Sequence, residues 1–519
     1  MTETPHIRPG QTIKAGFWVI GSKLASKLVD FASLLVLARC LGPADFGLVA
    51  MAMTTIFIVE AIFELPLSAA LIRSVGISDE ILQTAFTLGL LRGLTIGTLL
   101  AAISWPIALL YGEPQLVGLI CVLALAPVMR GLISPRMVMF ARAMNFRPEV
   151  MMEVSGKVVA AIAAIAIAVS TASYWALVAA TVLGPMVMMV ASYGMAPMRI
   201  RLTLKNWRVF SDLVGWNMLS QLISSMNWQL DRMILPRFVA AHSFGQYTIS
   251  SDLVSIPFQA LLYPLTRPLL AMLAAGRQDS LGDAYLKVSG GVFLLMSPIF
   301  AFMACMAGPL VGLILGEKWA DITPVFQALC LIAILRLPGS AMWIFALLLN
   351  RLKSVTVRLM VELLAYVPLA LVGIALWGIA GAIAAKVGAT MIATVTSMVL
   401  IRDFAGARII DQLGVLYRPV ISNGLAVMSA YYVAQAQLFE AGVIVKLLAS
   451  GGVFLTVYLG AVYCLWALVG RPGSFETLAF RMAARSVSTV GMGAQMDRGP
   501  EPVKITQGAP ADRARAPFS

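Results

Sequence analysis

The side chains in this sequence with the most chemical potential sit where they are hardest to accommodate. In the run GSKLASKLVDFASLLVLARC, Lys23, Lys27 and Asp30 are spaced by four and then three positions. That spacing puts all three on one face of a helix. The helix is otherwise apolar enough to enter a bilayer. A charge at the centre of a membrane helix costs about 2.5–3.5 kcal/mol on insertion scales, while each Leu, Ile or Val returns about 0.3–0.6. Such a stripe must face protein or a watery cavity, and ionisable groups placed there mark sites of function by default. The plainer alternative is a Lys27–Asp30 ion pair that locks helices together, with Lys23 reaching the membrane surface.

Similar charges recur in later apolar segments: Arg92, Arg130, Arg136, Lys157, Arg232, Arg336 and Lys386 against Glu60, Glu64, Glu153, Asp231, Asp252 and Glu362. Arg130 and Arg336 occupy comparable places in the two halves of the chain. A guanidinium keeps its charge at depth and presents a fork of donors suited to phosphate. Arg130 and Arg336 have no acid close in sequence, and Lys27 has only Asp30, three positions on. They are therefore the first candidates for contact with a ligand, followed by Lys23 and Arg92. Surplus positive charge in a cavity with low-dielectric walls attracts an anion. Glu153–Lys157 has i,i+4 spacing, and it and Asp231–Arg232 read as structural pairs or as functional ones with equal ease. Asp30, Glu60, Glu64 and Asp252 are candidates for proton or sodium coupling, or simply counter-charges.

Catalytic chemistry has little to work with. The two histidines, His6 and His242, fall in a tail and a loop, which excludes a histidine triad or a zinc helix inside the membrane. No GxxxxGK[ST] phosphate loop occurs, which argues against direct ATP hydrolysis. Cys40, Cys121, Cys305, Cys330 and Cys464 are far apart and read as small core residues rather than metal ligands. The expectation is a protein without catalytic residues, metal or cofactor, driven by a proton or sodium gradient, by a partner, or by consumption of what it moves.

The elements that must position these charges are helices. The chain is 60% hydrophobic and only 12% charged, far from soluble composition. Apolar segments near 14–38, 46–71, 82–110, 115–143, 150–171, 174–196, 209–237, 244–270, 285–313, 322–350, 356–377, 379–403, 415–437 and 442–469 are each long enough to span the hydrocarbon. An all-α polytopic protein of about 14 spans follows. With the N-terminus inside, the outer connections carry only Arg39, Arg237 and Lys318, while the inner ones are rich in Arg and Lys. By the positive-inside rule both ends are expected in the cytoplasm. The net charge of +13 is spread over helix ends, so it reads as topology rather than nucleic-acid binding. The expected organisation is a tail (1–12), an N-lobe (13–196), an inter-lobe loop (197–208), a C-lobe (209–403), two appended helices (404–469), and a basic, largely disordered tail (470–519).

Leu37, Arg39, Phe46 and Gly47 recur as Leu235, Arg237, Phe244 and Gly245, an offset of 198 residues, and Pro66 and Leu67 fall on Pro264 and Leu265 at the same offset. Such a repeat points to two related helical halves with a central site between them. The segments LARCLGPADFGLVAMA (37–52), MNWQLDRMILPRFVAAHSFGQYTISSDLVSIPFQALLYPL (226–265) and FARAMNFRP (140–148) resemble the polysaccharide transporter family. These are the Wzx-type flippases of the multidrug/oligosaccharidyl-lipid/polysaccharide superfamily, and the resemblance implies two pseudo-symmetric six-helix lobes around a central cavity, with two further helices. The second half departs from LGPADFG, so that motif reads as a helix-start turn rather than a substrate site.

The resemblance implies alternating-access movement of undecaprenyl-pyrophosphate-linked repeat units across the bacterial inner membrane, for exopolysaccharide or lipopolysaccharide assembly. It implies a lipid-linked oligosaccharide and membrane lipid as partners, with a polymerase and chain-length or export machinery downstream. The cavity cations Lys23, Lys27, Arg92, Arg130 and Arg336 would then meet pyrophosphate or acidic sugar. A drug/cation antiporter of the same superfamily is the nearest rival, and a peptidoglycan-precursor flippase shares the head group. A membrane polysaccharide polymerase or ligase would need a large outer catalytic loop, which the short outer connections do not provide.

Overall fold

The computed structural model describes residues 26–74, 76–143, 145–211, 225, 229–275, 281–435 and 442–469. Lys23 and the tails at 1–12 and 470–519 lie outside them. The chain divides into a large unit, Met1–Leu465, and a terminal unit, Trp466–Ser519, of which 466–469 are described. The described residues are mostly helical and contain no strand. In the first half the helices are α1 (26–40), α2 (Pro43–Ile62), α3 (Leu67–Arg73), α4 (Asp79–Tyr111), α5 (Leu116–Leu123), α6 (Leu125–Gly131), α7 (Val138–Arg142), α8 (Arg147–Thr171) and α9 (Trp175–Met195). A short α10 (Arg208–Ser211) follows. The second half holds α11 (229–234), α12 (Ala241–Pro257), α13 (Tyr263–Ala275), α14 (Leu281–Cys305), α15 (Ala307–Ile314), α16 (Thr323–Arg336), α17 (Met342–Leu348), α18 (Leu352–Ala405), α19 (Ile409–Gly414), α20 (Tyr417–Gln435) and α21 (Val443–Leu468).

Among the described residues, eight helices are long and apolar enough to cross a membrane, or nine if a bent pair counts as one span. The expected spans near 14–38 and 209–237 run through residues outside the described set. The span near 244–270 is interrupted by a π-helical turn at Phe258–Leu262. The expected spans 356–377 and 379–403 are joined in α18 by Gly378, whose φ of 57° is left-handed. Glycine alone adopts that conformation without strain. The arms meet closely there, since a methyl group on Gly381 would lie 1.8 Å from the Gly373 carbonyl oxygen.

LGPADFG starts α2, and each residue has a task. Leu41 is fully buried. Gly42 is the N-cap, Pro43 occupies the first turn where no amide hydrogen is required, and the Asp45 carboxylate accepts from the Gly42 amide at 3.0 Å. This is the acidic half of a capping box. Phe46 packs edge-on against Trp319.

α2, α4, α5, α6, α8 and α9 pack as one lobe, and α12, α14, α16 and α18 as the other. Small residues set the spacing. Gly156, Ala160, Ala164 and Ala168 form a buried row on α8 facing α9, the close-packing pattern of membrane helices. The lobes cross at α2 and α12. A methyl on Gly47 would lie 1.8 Å from the Ala241 carbonyl oxygen, and one on Gly245 would lie 1.9 Å from that of Pro43. The two contacts are related by the 198-residue offset, so the repeat contacts itself reciprocally. Trp319 Nε1 donates to the Ala38 carbonyl at 2.8 Å, Arg39 to that of Leu313 at 2.9 Å, and the Tyr111 hydroxyl to that of Met233 at 3.3 Å. All fasten the lobes at this same end.

α20 and α21 attach to the second lobe through α14. Asn423 Nδ2 donates to Ser297 Oγ at 2.9 Å, and the Tyr458 hydroxyl donates to the Leu294 carbonyl at 2.8 Å.

Candidate functional site

The fourth span of the first half is broken, that of the second half is interrupted by a 3-10 turn, and an arginine stands just before each. α6 ends at Gly131 after Arg130, and the following Pro135–Arg142 segment is bent by 50°. α16 ends at Arg336, with a 3-10 turn through Pro338 beyond it. Proline removes a backbone donor and clashes with the preceding turn; the first span bends there, while the second continues to Leu348 as one membrane-length segment.

Around Arg130 the first lobe opens a pocket of about 290 Å³, lined by Glu60, Glu64, Arg92, Ile96, Pro127 and Arg130 with Gly89, Gly93 and Gly131. The glycines let α4 and α6 touch backbone to backbone: a methyl on Gly131 would lie 2.3 Å from the Gly89 carbonyl oxygen. That approach brings Arg92 of α4 and Arg130 of α6 to one opening. α2 ends at Ile62 ahead of Pro66, so Glu60 sits in its last turn and Glu64 in the break.

The cations are paired. Arg130 meets Glu60 at 2.6 Å and Arg92 meets Glu64 at 3.1 Å. The expectation of a surplus of positive charge is therefore corrected here: two arginines and two glutamates make a formally neutral cluster. The acid for Arg130 comes from a helix 70 positions earlier, which is why sequence proximity did not reveal it. The pairs are accessible, with Arg130 40% and Glu64 41% exposed. Arg92 Nε is buried without a hydrogen-bond acceptor among the described residues.

Asp30 pairs with Lys157 at 2.7 Å rather than with Lys27. The i,i+4 contact of Lys157 with Glu153 is longer, at 3.9 Å. Ser26 donates to Glu153 at 3.3 Å, so α1 lies against α8 through two polar contacts. Lys27 is exposed and makes no ion pair among the described residues. Neither Lys27 nor Arg336 lines the pocket. Arg336 is exposed and stands within electrostatic range of Arg358. Arg136 donates to the Pro197 carbonyl.

In the second lobe the neighbours Asp231 and Arg232 do not pair with each other. Asp231 pairs with Lys386 of α18, and Arg232 pairs with Asp252 of α12. The Tyr247 hydroxyl also donates to Asp231 at 2.7 Å. Asp231, Glu362, Tyr366, Lys386 and Thr390 line a much smaller cleft of about 20 Å³. Glu362 pairs with Arg358 at 3.2 Å. The Asp231–Lys386 contact was not foreseen. One signal was available: adjacent residues on a helix point about 100° apart, which disfavours an Asp231–Arg232 pair.

The family model for polysaccharide biosynthesis proteins matches residues 36–324, more than half of the chain. The chain belongs to the polysaccharide biosynthesis protein family. Members similar to it include the succinoglycan biosynthesis transport protein ExoT of Rhizobium meliloti. That relative is 22% identical over 63% of this chain and 67% of its own length. The lipopolysaccharide biosynthesis protein WzxC of Escherichia coli is 24% identical over 64% of this chain and 68% of its own length. In fold, this member of the family is similar to the lipid II flippase MurJ in an inward closed conformation. The TM-score is 0.70 at 13% identity, covering 87% of this chain and 99% of the other. An inward-facing multidrug transporter of the MATE family gives 0.54 at 14% identity, covering 73% and 94%. These two likenesses establish a multi-span helical fold.

Proposed function

We propose that this protein is a flippase that carries undecaprenyl-pyrophosphate-linked oligosaccharide repeat units across the bacterial inner membrane for exopolysaccharide or lipopolysaccharide assembly. One observation carries the reading: Arg92 and Arg130, each held by a glutamate, open on one pocket with a buried Arg92 donor still unmet. At rest the glutamates hold the guanidinium groups in place. A pyrophosphate entering the pocket offers several anionic oxygens in forked geometry and takes over both arginines. Glu60 and Glu64 then lose their counter-charges in a low-dielectric site, where each can accept a proton or a sodium ion. Ligand binding and ion uptake thereby become one event, and the gradient drives the cycle without a further cofactor.

The lobes are fastened at the end that holds Arg39, Gly47 and Trp319. With both termini in the cytoplasm this end faces outward, and the central chamber opens inward to receive the lipid-linked sugar. The polymerase and the chain-length or export machinery take the product outside. Because the charge cluster is neutral, its sign does not separate this reading from a cation antiporter; family membership favours the polysaccharide substrate.

The test is a deletion strain. Lipid-linked repeat units accumulating on the inner leaflet, with polymer output lost and restored by the gene, is the expected result. Unchanged polymer output with no accumulated intermediate refutes the reading.

A further inference from the structure

The segment joining the lobes, residues 197–208, has a composition the transport pathway does not use. It reads PMRIRLTLKNWR, has no helix or strand through 204, and is held to the first lobe at three points. Arg136 donates to the Pro197 carbonyl at 3.0 Å, the Thr203 amide donates to Thr87 Oγ1 at 3.0 Å, and Lys205 meets Glu80 at 3.6 Å. These contacts fix its course across the ends of α4 and α9, where apolar spans give way to polar ends. Between them, apolar side chains stand out from the protein: Ile200 is 55% exposed, Leu202 67%, Leu204 46% and Trp207 53%. Arg199, Arg201, Lys205 and Arg208 are exposed among them. Water alone is a poor partner for four large apolar groups, and hydrocarbon alone is a poor partner for the charges. The boundary of a bilayer suits both: Leu, Ile and Trp enter the acyl edge while Arg and Lys meet phosphate.

We propose that residues 197–208 form an interfacial strap that binds acidic phospholipid headgroups at this end of the lobes. Positive side chains at a membrane surface gain from anionic lipid in proportion to their number, and the strap has no acidic residue. Bound lipid would hold the strap flat against the bilayer. Thr87 ties it to α4, five positions before Arg92. Lipid charge would thus bear on the segment that links the lobes and on the helix that carries a pocket arginine. The proposal does not depend on what the lobes transport.

The test places a single cysteine at Leu202→Cys, with the five native cysteines replaced, and reconstitutes the full chain in nanodiscs. One set of discs is phosphatidylcholine; the other contains phosphatidylglycerol. The rate of alkylation by a water-soluble maleimide is measured in each. Alkylation at least ten-fold slower in the phosphatidylglycerol discs, with the difference lost in 0.5 M salt and in the Arg199→Gln/Arg201→Gln/Lys205→Gln variant, is expected. Equal rates in the two lipids overturn the proposal, whether both are fast or both slow. The lipid comparison on the unmodified strap decides the matter even if the triple variant does not fold.

Discussion

Gly47 and Gly245 face each other across the crossing of the two lobes, and neither has room for a methyl group. Their counterparts in the contact, Ala241 and Pro43, are related by the same offset. The crossing is thus built from two copies of one contact, like the isologous interface of a symmetric dimer. A side chain larger than hydrogen at either glycine would meet the backbone of the opposite lobe.

Gly47→Ala and Gly245→Ala should therefore each force the lobes apart where they are fastened. Overpacking of this kind costs about 1–3 kcal/mol. The measurement is cross-linking between cysteines introduced at Arg39 and Lys318, residues joined in the native protein by the Lys318 ammonium and the Arg39 carbonyl at 3.4 Å. Yield should fall in both variants. Undiminished yield would mean that the crossing adapts by other means.

Asp231 and Lys386 form a pair that is expensive to break. Asp231 is 7% exposed, and removing one member of a buried pair leaves a charge without compensation, at about 3 kcal/mol or more. Asp231→Asn or Lys386→Met should lower the melting temperature, and the double variant should recover most of the loss. Additive losses in the double variant would show that the two side chains act separately.

Asp45 caps α2 and has no part in the pocket. Asp45→Ala should lower stability by about 1 kcal/mol, with Asp45→Asn recovering part of it and transport by the folded protein unchanged. A transport defect in stable Asp45→Ala protein would give the LGPADFG turn a role in the cycle.

Much of this fold was legible in the sequence because lipid imposes simple rules. Apolar length marked the helices, the 198-residue offset marked the residues of the Gly47–Gly245 crossing, and the Gly378 turn fell where two spans were expected to part. Pairing was not legible. Arg130 and Glu60, or Asp231 and Lys386, come together through helix rotation and lobe packing, which side-chain spacing along one helix does not encode. Lys27 and Asp30 share a helix stripe, yet Asp30 turns to Lys157. Sequence showed that the charges must be satisfied, while packing decided by which partner.

The most direct test of the proposed ligand exchange is binding of a purified undecaprenyl-pyrophosphate-linked oligosaccharide to the reconstituted protein. Wild type is compared with Arg130→Gln/Glu60→Gln and Arg92→Gln/Glu64→Gln, which remove each pair without leaving an unmatched charge. Affinity should fall at least ten-fold in each pair variant, while Glu60→Gln alone binds as well as wild type or better because its arginine is released. Wild-type affinity in both pair variants would contradict the assignment of Arg92 and Arg130 to the pyrophosphate.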